Sequence, residues 1–293
     1  MMGQSEVVIG VLGGSGVYGM DALEDTEWRR IESPFGTPSD EVLVGRLHGV
    51  KMVFLPRHGR GHRISPSEIN YRANIDVLKR AGCTDVISVS ACGSFREELA
   101  PGSFVIVDQF IDRTFAREKS FFGNGLVAHV SMADPVCSRL GDALEAAAIE
   151  CGIDHARGGT YLAMEGPQFS SRAESFLYRD WGCSVIGMTN MPEAKLAREA
   201  ELCYATVAMV TDYDCWREGD AHVDVEAVLE ILHGNASKAQ DLLSNVVPRL
   251  ATRPDACNAG CDHALDVALI TPPEARDEAA VNRLDAVAGR VLS

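Results

Sequence analysis

The chain has 293 residues, 46% of them apolar and 24% charged, with a formal net charge of −15. Length and composition suit one large or two small globular domains and exclude a disordered or fibrous chain. The negative charge argues against nucleic acid or an anionic membrane as partner, because both are bound by neutralising phosphate with Lys and Arg.

No apolar run approaches the roughly 20 residues needed to span a bilayer. The N-terminus MMGQSEVVIG lacks the basic, apolar and small-residue sections of a signal peptide, so a cytoplasmic location is expected. In chain order, VVIGVL, MVFLP, DVISVSA, SFVIVDQF and ATVAMV are short β-rich apolar runs bounded by Gly, Pro or polar clusters, as strands are. Ser65-Pro66-Ser67-Glu68 offers an N-cap, a first-turn proline and a capping glutamate, and Gly82 a stop, which predicts a helix of about 15 residues. Asp134-Pro135 opens a second helix, with Val136, Leu140, Ala143, Leu144, Ala147 and Ala148 at helical spacing up to Gly152. A third begins near Asp224 and carries the apolar stripe Val225, Val228, Leu229, Leu232 and Ala236. Residues 251–261 read as an irregular connection. Beyond Pro272-Pro273 a final amphipathic helix, DEAAVNRLDAVAGRVL, forms a C-terminal extension over about 274–293. Alternating strands and helices predict an α/β fold with a largely parallel or mixed sheet, and the lack of repeats or long linkers predicts one domain over 1–293.

Nine cysteines, an odd number at irregular spacing, read as reduced core thiols rather than a disulfide framework. Cys257 and Cys261 are the one close pair; with no second pair beside them they read as part of a loop or helix end, and no metal is expected.

Six segments could carry chemistry. Gly13-Gly14-Ser15-Gly16 follows a strand and can turn backbone N–H groups toward an anion, but it lacks the spacing of a dinucleotide or Walker loop, and a structural turn explains it as well. The loop Arg57-His58-Gly59-Arg60-Gly61-His62-Arg63 gathers five cationic or potentially cationic side chains, suited to gripping phosphate with Arg forks and a His donor. Ser88-Val89-Ser90-Ala91-Cys92-Gly93-Ser94 is a strand ending in small residues, where a ligand can approach backbone, or a plain strand-end turn. Cys92 has no recognisable base partner and reads as a buried thiol. Met164-Glu165-Gly166-Pro167-Gln168-Phe169-Ser170-Ser171 and Gly187-Met188-Thr189-Asn190-Met191-Pro192-Glu193 are strand-to-helix junctions whose polar groups can cap helices, hold ligands or both. In Thr211-Asp212-Tyr213-Asp214-Cys215-Trp216 two carboxylates two residues apart would point the same way in an extended segment. A buried acid pair can keep a proton near neutrality, whereas a solvated acidic turn would not.

Taken in order, GGSG, PFGTPSD, RHGRGHRISPSEINYRANI, ACGSFREELAPG, VDQFIDRT, MEGPQFSSRAES, MTNMPEAKLARE and VTDYDCW resemble the methylthioadenosine phosphorylase branch of the purine nucleoside phosphorylase family, from about Val8 to Leu243. The resemblance implies a single α/β domain around a mixed, partly barrel-like sheet flanked by helices, and a homotrimer with sites near subunit borders. It implies reversible phosphorolysis of 5′-methylthioadenosine with inorganic phosphate as co-substrate and no cofactor. Phosphate would be held by Ser15, Arg57, His58, Ser90, the Ala91 backbone and Thr189. The sugar would rest on Met188 and the base near Phe169 and Ser170. Asp212 and Asp214 would accept from the 6-amino group of adenine and supply the proton taken up at N7. Val225, Val228 and His129, the last from the same or a neighbouring subunit, would line the 5′-methylthio pocket.

Ser15 and Asn190-Met191 depart from the pattern of that branch, the latter toward members acting on methylthioinosine or on purine nucleosides in general. Those members are expected to carry Asn at Asp212 or Asp214. A nucleoside-binding regulator without turnover would bind ligand but release no base, and a dinucleotide oxidoreductase would rest on GGSG alone.

Overall fold

The computed structural model describes residues 6–14, 16–217, 225–254 and 256–292, with backbone alone at 225–230 and 232. Strands β1 (Val8–Gly13), β4 (Val50–Pro56) and β5 (Asp85–Ser94) form the parallel centre of one mixed sheet, with β1 in the middle. All six β1 residues are buried, as expected of a parallel strand covered on both faces. On one side the sheet continues antiparallel through β3 (Val42–Leu47) to the edge strand β2 (Glu24–Arg29). The β2 sequence EDTEWR is almost wholly exposed, and its charge guards the edge against pairing with another chain.

At β5 the sheet forks. Along its length β5 pairs in parallel with β11 (Cys203–Asp212), while its tip pairs antiparallel with β10 (Val185–Gly187). One branch continues from β10 to β9 (Thr160–Ala163) and β7 (Gln109–Asp112); the other runs from β11 to β6 (Phe104–Val107) and β8 (His155–Arg157). The result is a single-domain α/β fold whose mixed sheet is open and branched. The segment SFVIVDQF forms two strands, β6 and β7, because Asp108 turns its carboxylate to accept from the Gly159 N–H at 2.9 Å and breaks the run between them.

Helices cover both faces. α1 (Tyr71–Arg80), α4 (Glu193–Glu199), α6 (Glu278–Arg283) and α7 (Asp285–Leu292) pack into one apolar cluster through residues such as Ile75, Leu196, Ala280 and Val287. α2 (Ser138–Glu150) and α5 (Val225–Leu250) pack into the other through Leu140, Leu144, Leu242 and Val246. The C-terminal extension is two short helices rather than one. It is docked into the core by Leu284 and Val287 and tied by Arg80 to Asp285 and by Arg290 to Glu201.

Two helix starts differ from the sequence reading. α1 begins at Tyr71, capped by the Asn70 side chain accepting from the Ala73 N–H. The Ser67 hydroxyl that would have helped start it earlier donates to Glu165 instead. α2 begins after Cys137, because Asp134 to Val136 lie in a turn whose Asp134 carbonyl accepts from Arg198. Both glycine stops hold: Gly82 and Gly152 sit at φ +88 and +63, where a side chain would be strained. Cys257 and Cys261 are not alone: the fold brings Cys137 and Cys203 beside them.

Candidate active site

β1, β4, β5 and β11 run parallel, so their carboxyl ends share one edge of the sheet, the edge where such sheets form ligand sites. The GGSG loop, the Arg57–Arg63 loop, the small residues of β5 and the Thr211–Trp216 segment all meet there. β10 runs back against β5 and brings Met188, Thr189 and Asn190 over its middle. Gly187 makes that approach feasible, because a Cβ there would lie 1.8 Å from the Tyr161 hydroxyl and 3.2 Å from the Ala91 carbonyl.

Of the expected phosphate residues, Ser90 and Thr189 are buried side by side with Asn190, whose Nδ2 donates to Ser90 Oγ at 3.3 Å. Asn190 adopts φ +67, a left-handed conformation that Asn tolerates better than most residues with a side chain. Ala91 lies on the same stretch of β5. Ser15 lies outside the described residues.

Arg57 is placed differently from expectation. Its guanidinium is buried and turned into the protein, pairing with Glu193 and donating to Ser88 Oγ at 2.6 Å and to the carbonyls of Val89 and Leu12 at 2.9 and 3.2 Å. Glu193 also accepts from the Ser88 and Tyr204 hydroxyls. In this structure the Arg57 charge is balanced by Glu193, and its guanidinium braces the strand ends beneath the site.

His58 is engaged as well. Its Nδ1–H donates to the Ile64 carbonyl at 2.9 Å, which leaves Nε2 as an acceptor in the neutral ring. Burial, then the neighbouring Arg57 charge, lowers its pKa to about 4, so the imidazole is neutral at pH 7 and its one donor is already used.

The acid pair meets by a turn rather than by strand alternation. Asp212 ends β11 just past a bulge; its Oδ1 accepts from the Asp214 N–H at 2.7 Å and its Oδ2 from the Thr211 hydroxyl at 2.7 Å. Asp214 sits at φ +50 and is 8% exposed, and its Oδ2 has no partner among the described residues. Burial raises the pKa of both carboxyls, and the Asp212 charge raises that of Asp214 further. Gly93 leaves room for the pair, since a Cβ there would come within 2.9 Å of Asp212 Oδ1. Cys215 Sγ donates to the Ser170 carbonyl at 3.3 Å, which holds the Phe169–Ser170 loop against this turn, with Phe169 at the solvent edge.

Met188 and the Met164–Glu165 loop are fixed by a residue the sequence reading passed over. Arg117 is buried, and its Nη1 donates to the carbonyls of Met188 and Met191 at 2.8 and 2.6 Å while its Nη2 donates to that of Glu165 at 2.8 Å. In the sequence it is one charged residue of the run FAREKS directly after VDQFIDRT, with nothing to set it apart. Glu165, a candidate for holding ligand hydroxyls, is spent on the Ser67 hydroxyl and on the N–H groups of Phe115 and Ala116.

His129 is not in this chain's site: it lies on the surface, its N–H donating to the Ala268 carbonyl at 2.9 Å. Val225 and Val228 start α5, and their side chains lie outside the described part of the structure.

The family model of the phosphorylase superfamily matches residues 8–248. A protein of Cereibacter sphaeroides named S-methyl-5′-thioadenosine phosphorylase is 63% identical over 287 residues, covering 98% of this chain and 99% of that one. One of the same name from Rhodospirillum rubrum is 62% identical, covering 97% of each chain. Among solved structures, a methylthioadenosine phosphorylase from an antarctic soil metagenomic library superposes with a TM-score of 0.91 at 46% identity, over 97% of this chain and 99% of that one. The Schistosoma mansoni methylthioadenosine phosphorylase in complex with adenine gives 0.84 at 36%, over 94% and 100%.

Proposed function

The chain belongs to the phosphorylase superfamily, and from that premise and the site geometry we propose that it cleaves 5′-methylthioadenosine with inorganic phosphate to adenine and 5-methylthioribose 1-phosphate. It is a pentosyltransferase of purine and methionine salvage. The observation that carries the reading is the Asp212–Asp214 pair, with Asp214 buried, Asp212 half-buried and one Asp214 oxygen without a partner among the described residues. No cation offsets their burial among the described contacts, so both carboxyls are shifted toward the protonated form relative to a solvated carboxylate.

In this reading the pair gives that proton to N7 as the glycosidic bond breaks, and a remaining carboxylate oxygen accepts from the 6-amino group. Phosphate is a poor nucleophile toward a neutral sugar, so the C–N bond is nearly broken before it attacks, and the phosphate charge stabilises the oxocarbenium-like sugar. Donors for phosphate are Ser15, Ser90, Thr189 and the Ala91 N–H. Neutral His58 can accept from a protonated phosphate oxygen, and Arg57 holds the strand ends in place. No cofactor enters the scheme.

A homotrimer fits the surface: Val127, Val267 and Ile270 are exposed apolar side chains close to His129, on segments joined by the bond from the Ile270 N–H to the Val127 carbonyl. Trimerisation would carry His129 to a neighbour's 5′ pocket, and a cytoplasmic location completes the proposal. The test is kcat/KM for methylthioadenosine, adenosine, methylthioinosine and inosine side by side with phosphate. Methylthioadenosine is expected to be fastest; a preference for the inosines would overturn the assignment of the acid pair to a 6-amino base.

A further inference from the structure

Four cysteines from three distant parts of the chain converge at the foot of the sheet. Cys137 precedes α2, Cys203 is the first residue of β11, and Cys257 and Cys261 lie in the connection after α5. All four are buried, and their sulfurs lie within 4.8 Å of one another, with Cys137 and Cys257 at 3.7 Å. Four sulfurs about 2.3 Å from one ion at tetrahedral angles lie about 3.8 Å apart, so the cluster needs only a small contraction to close on a metal. An iron–sulfur cluster would need the sulfurs spread around a core of several atoms.

The surroundings are those of a held ligand set. Gly260, at φ +66, makes the turn that returns Cys261 beside Cys257, and its N–H donates to the Cys257 carbonyl at 2.8 Å. The Cys257 N–H donates to Asp262 at 2.9 Å, and Asp262 in turn accepts from Arg253 Nη2 at 2.9 Å. Arg253 Nη2 also donates to Cys203 Sγ at 3.5 Å, and Arg139 pairs with Asp85 one strand away. Two guanidiniums thus stand beside a site whose four thiolates would carry more negative charge than a divalent cation cancels.

We propose that Cys137, Cys203, Cys257 and Cys261 form a tetrahedral structural zinc site that clamps the connection after α5 to the foot of the central sheet. With four protein ligands the ion has no open position for substrate. The site is also remote from the chemistry: Cys203 and Asp212 are the two ends of β11, about 30 Å apart along a strand.

The test is elemental analysis of the full-length protein purified without chelator, followed by cobalt substitution. About one zinc ion per chain is expected, replaced by cobalt with visible tetrahedral bands and a near-ultraviolet thiolate charge-transfer band. Cys257→Ser with Cys261→Ser should lose the metal and lower the melting temperature, while Cys183→Ser, a buried cysteine elsewhere, should keep the metal. Protein that neither contains zinc nor takes up zinc or cobalt with those bands overturns the proposal, as does retention of the metal by the double variant. The cobalt spectrum is read on the unaltered chain, so a variant that fails to fold leaves it decisive.

Discussion

β5 and β11 lie side by side in parallel register from Asp85 and Cys203 to Gly93 and Asp212, and their two ends are built on opposite principles. At the foot, buried Asp85 accepts from the Thr84 hydroxyl at 2.7 Å and is paired with Arg139, with Arg253 3.9 Å away. At the other end Asp214 is buried and Asp212 half-buried, the Asp214 N–H donates to Asp212 Oδ1, and Asp214 Oδ2 has no partner among the described residues. Removing one partner of a buried ion pair strands the other charge, whereas a buried acid without a cation beside it is shifted toward its protonated form. The same pair of strands thus carries a paired acid at one end and, at the other, the acid pair proposed to transfer the proton.

Asp212→Asn should show the largest effect, lowering kcat/KM for methylthioadenosine about 10²- to 10⁴-fold with little change in melting temperature. Unchanged kinetics would remove the pair from the chemistry. Asp85→Ala should do the reverse: it strands Arg139 and should cost about 3–5 kcal/mol in urea unfolding, while the folded fraction keeps its kcat/KM. A loss of activity without loss of stability would break the division between the ends.

A third variant probes a buried acid outside both ends. Burial raises Glu199 to about 7, against hydrogen bonds from the Phe121 N–H at 2.7 Å and the Ser120 hydroxyl at 2.8 Å. Its folded pKa lies above its unfolded one, so its contribution is full below the unfolded value near 4.5 and is lost as pH rises through about 7. Glu199→Gln keeps one acceptor oxygen for the Phe121 N–H and can donate to the Ser120 hydroxyl, and should stabilise the protein at pH 8 by on the order of 1–3 kcal/mol, with little effect at pH 4.5. Equal effects at both pH values would reject the shift. The smallest signal belongs to His58: a ring NMR titration should show no transition between about pH 5.5 and 8, and a midpoint near 6.5 would contradict its buried, neutral state.

What the sequence disclosed was what short-range chemistry decides. The apolar runs became strands, Gly82 and Gly152 stopped helices, and the motifs gathered at one sheet edge because each follows a strand. The early helix starts at Ser65 and Asp134 failed because Ser67 and the Asp134 carbonyl found tertiary partners, Glu165 and Arg198, that local capping rules do not contain. The burial of Arg57 depends on Glu193, 136 residues away, and the bracing by Arg117 depends on carbonyls from two later loops. The thiol cluster draws on positions from 137 to 261, and only the Cys257–Cys261 spacing hints at it. Asp212 and Asp214 were legible as a pair, whereas the turn that joins them was not.

In the proposed reaction phosphate, not water, receives the sugar, and the most direct measurement follows adenine release from methylthioadenosine with and without inorganic phosphate while identifying the sugar product. Release that requires phosphate and yields one 5-methylthioribose 1-phosphate per adenine is the predicted result. Adenine release that proceeds without phosphate and leaves the free sugar would contradict it.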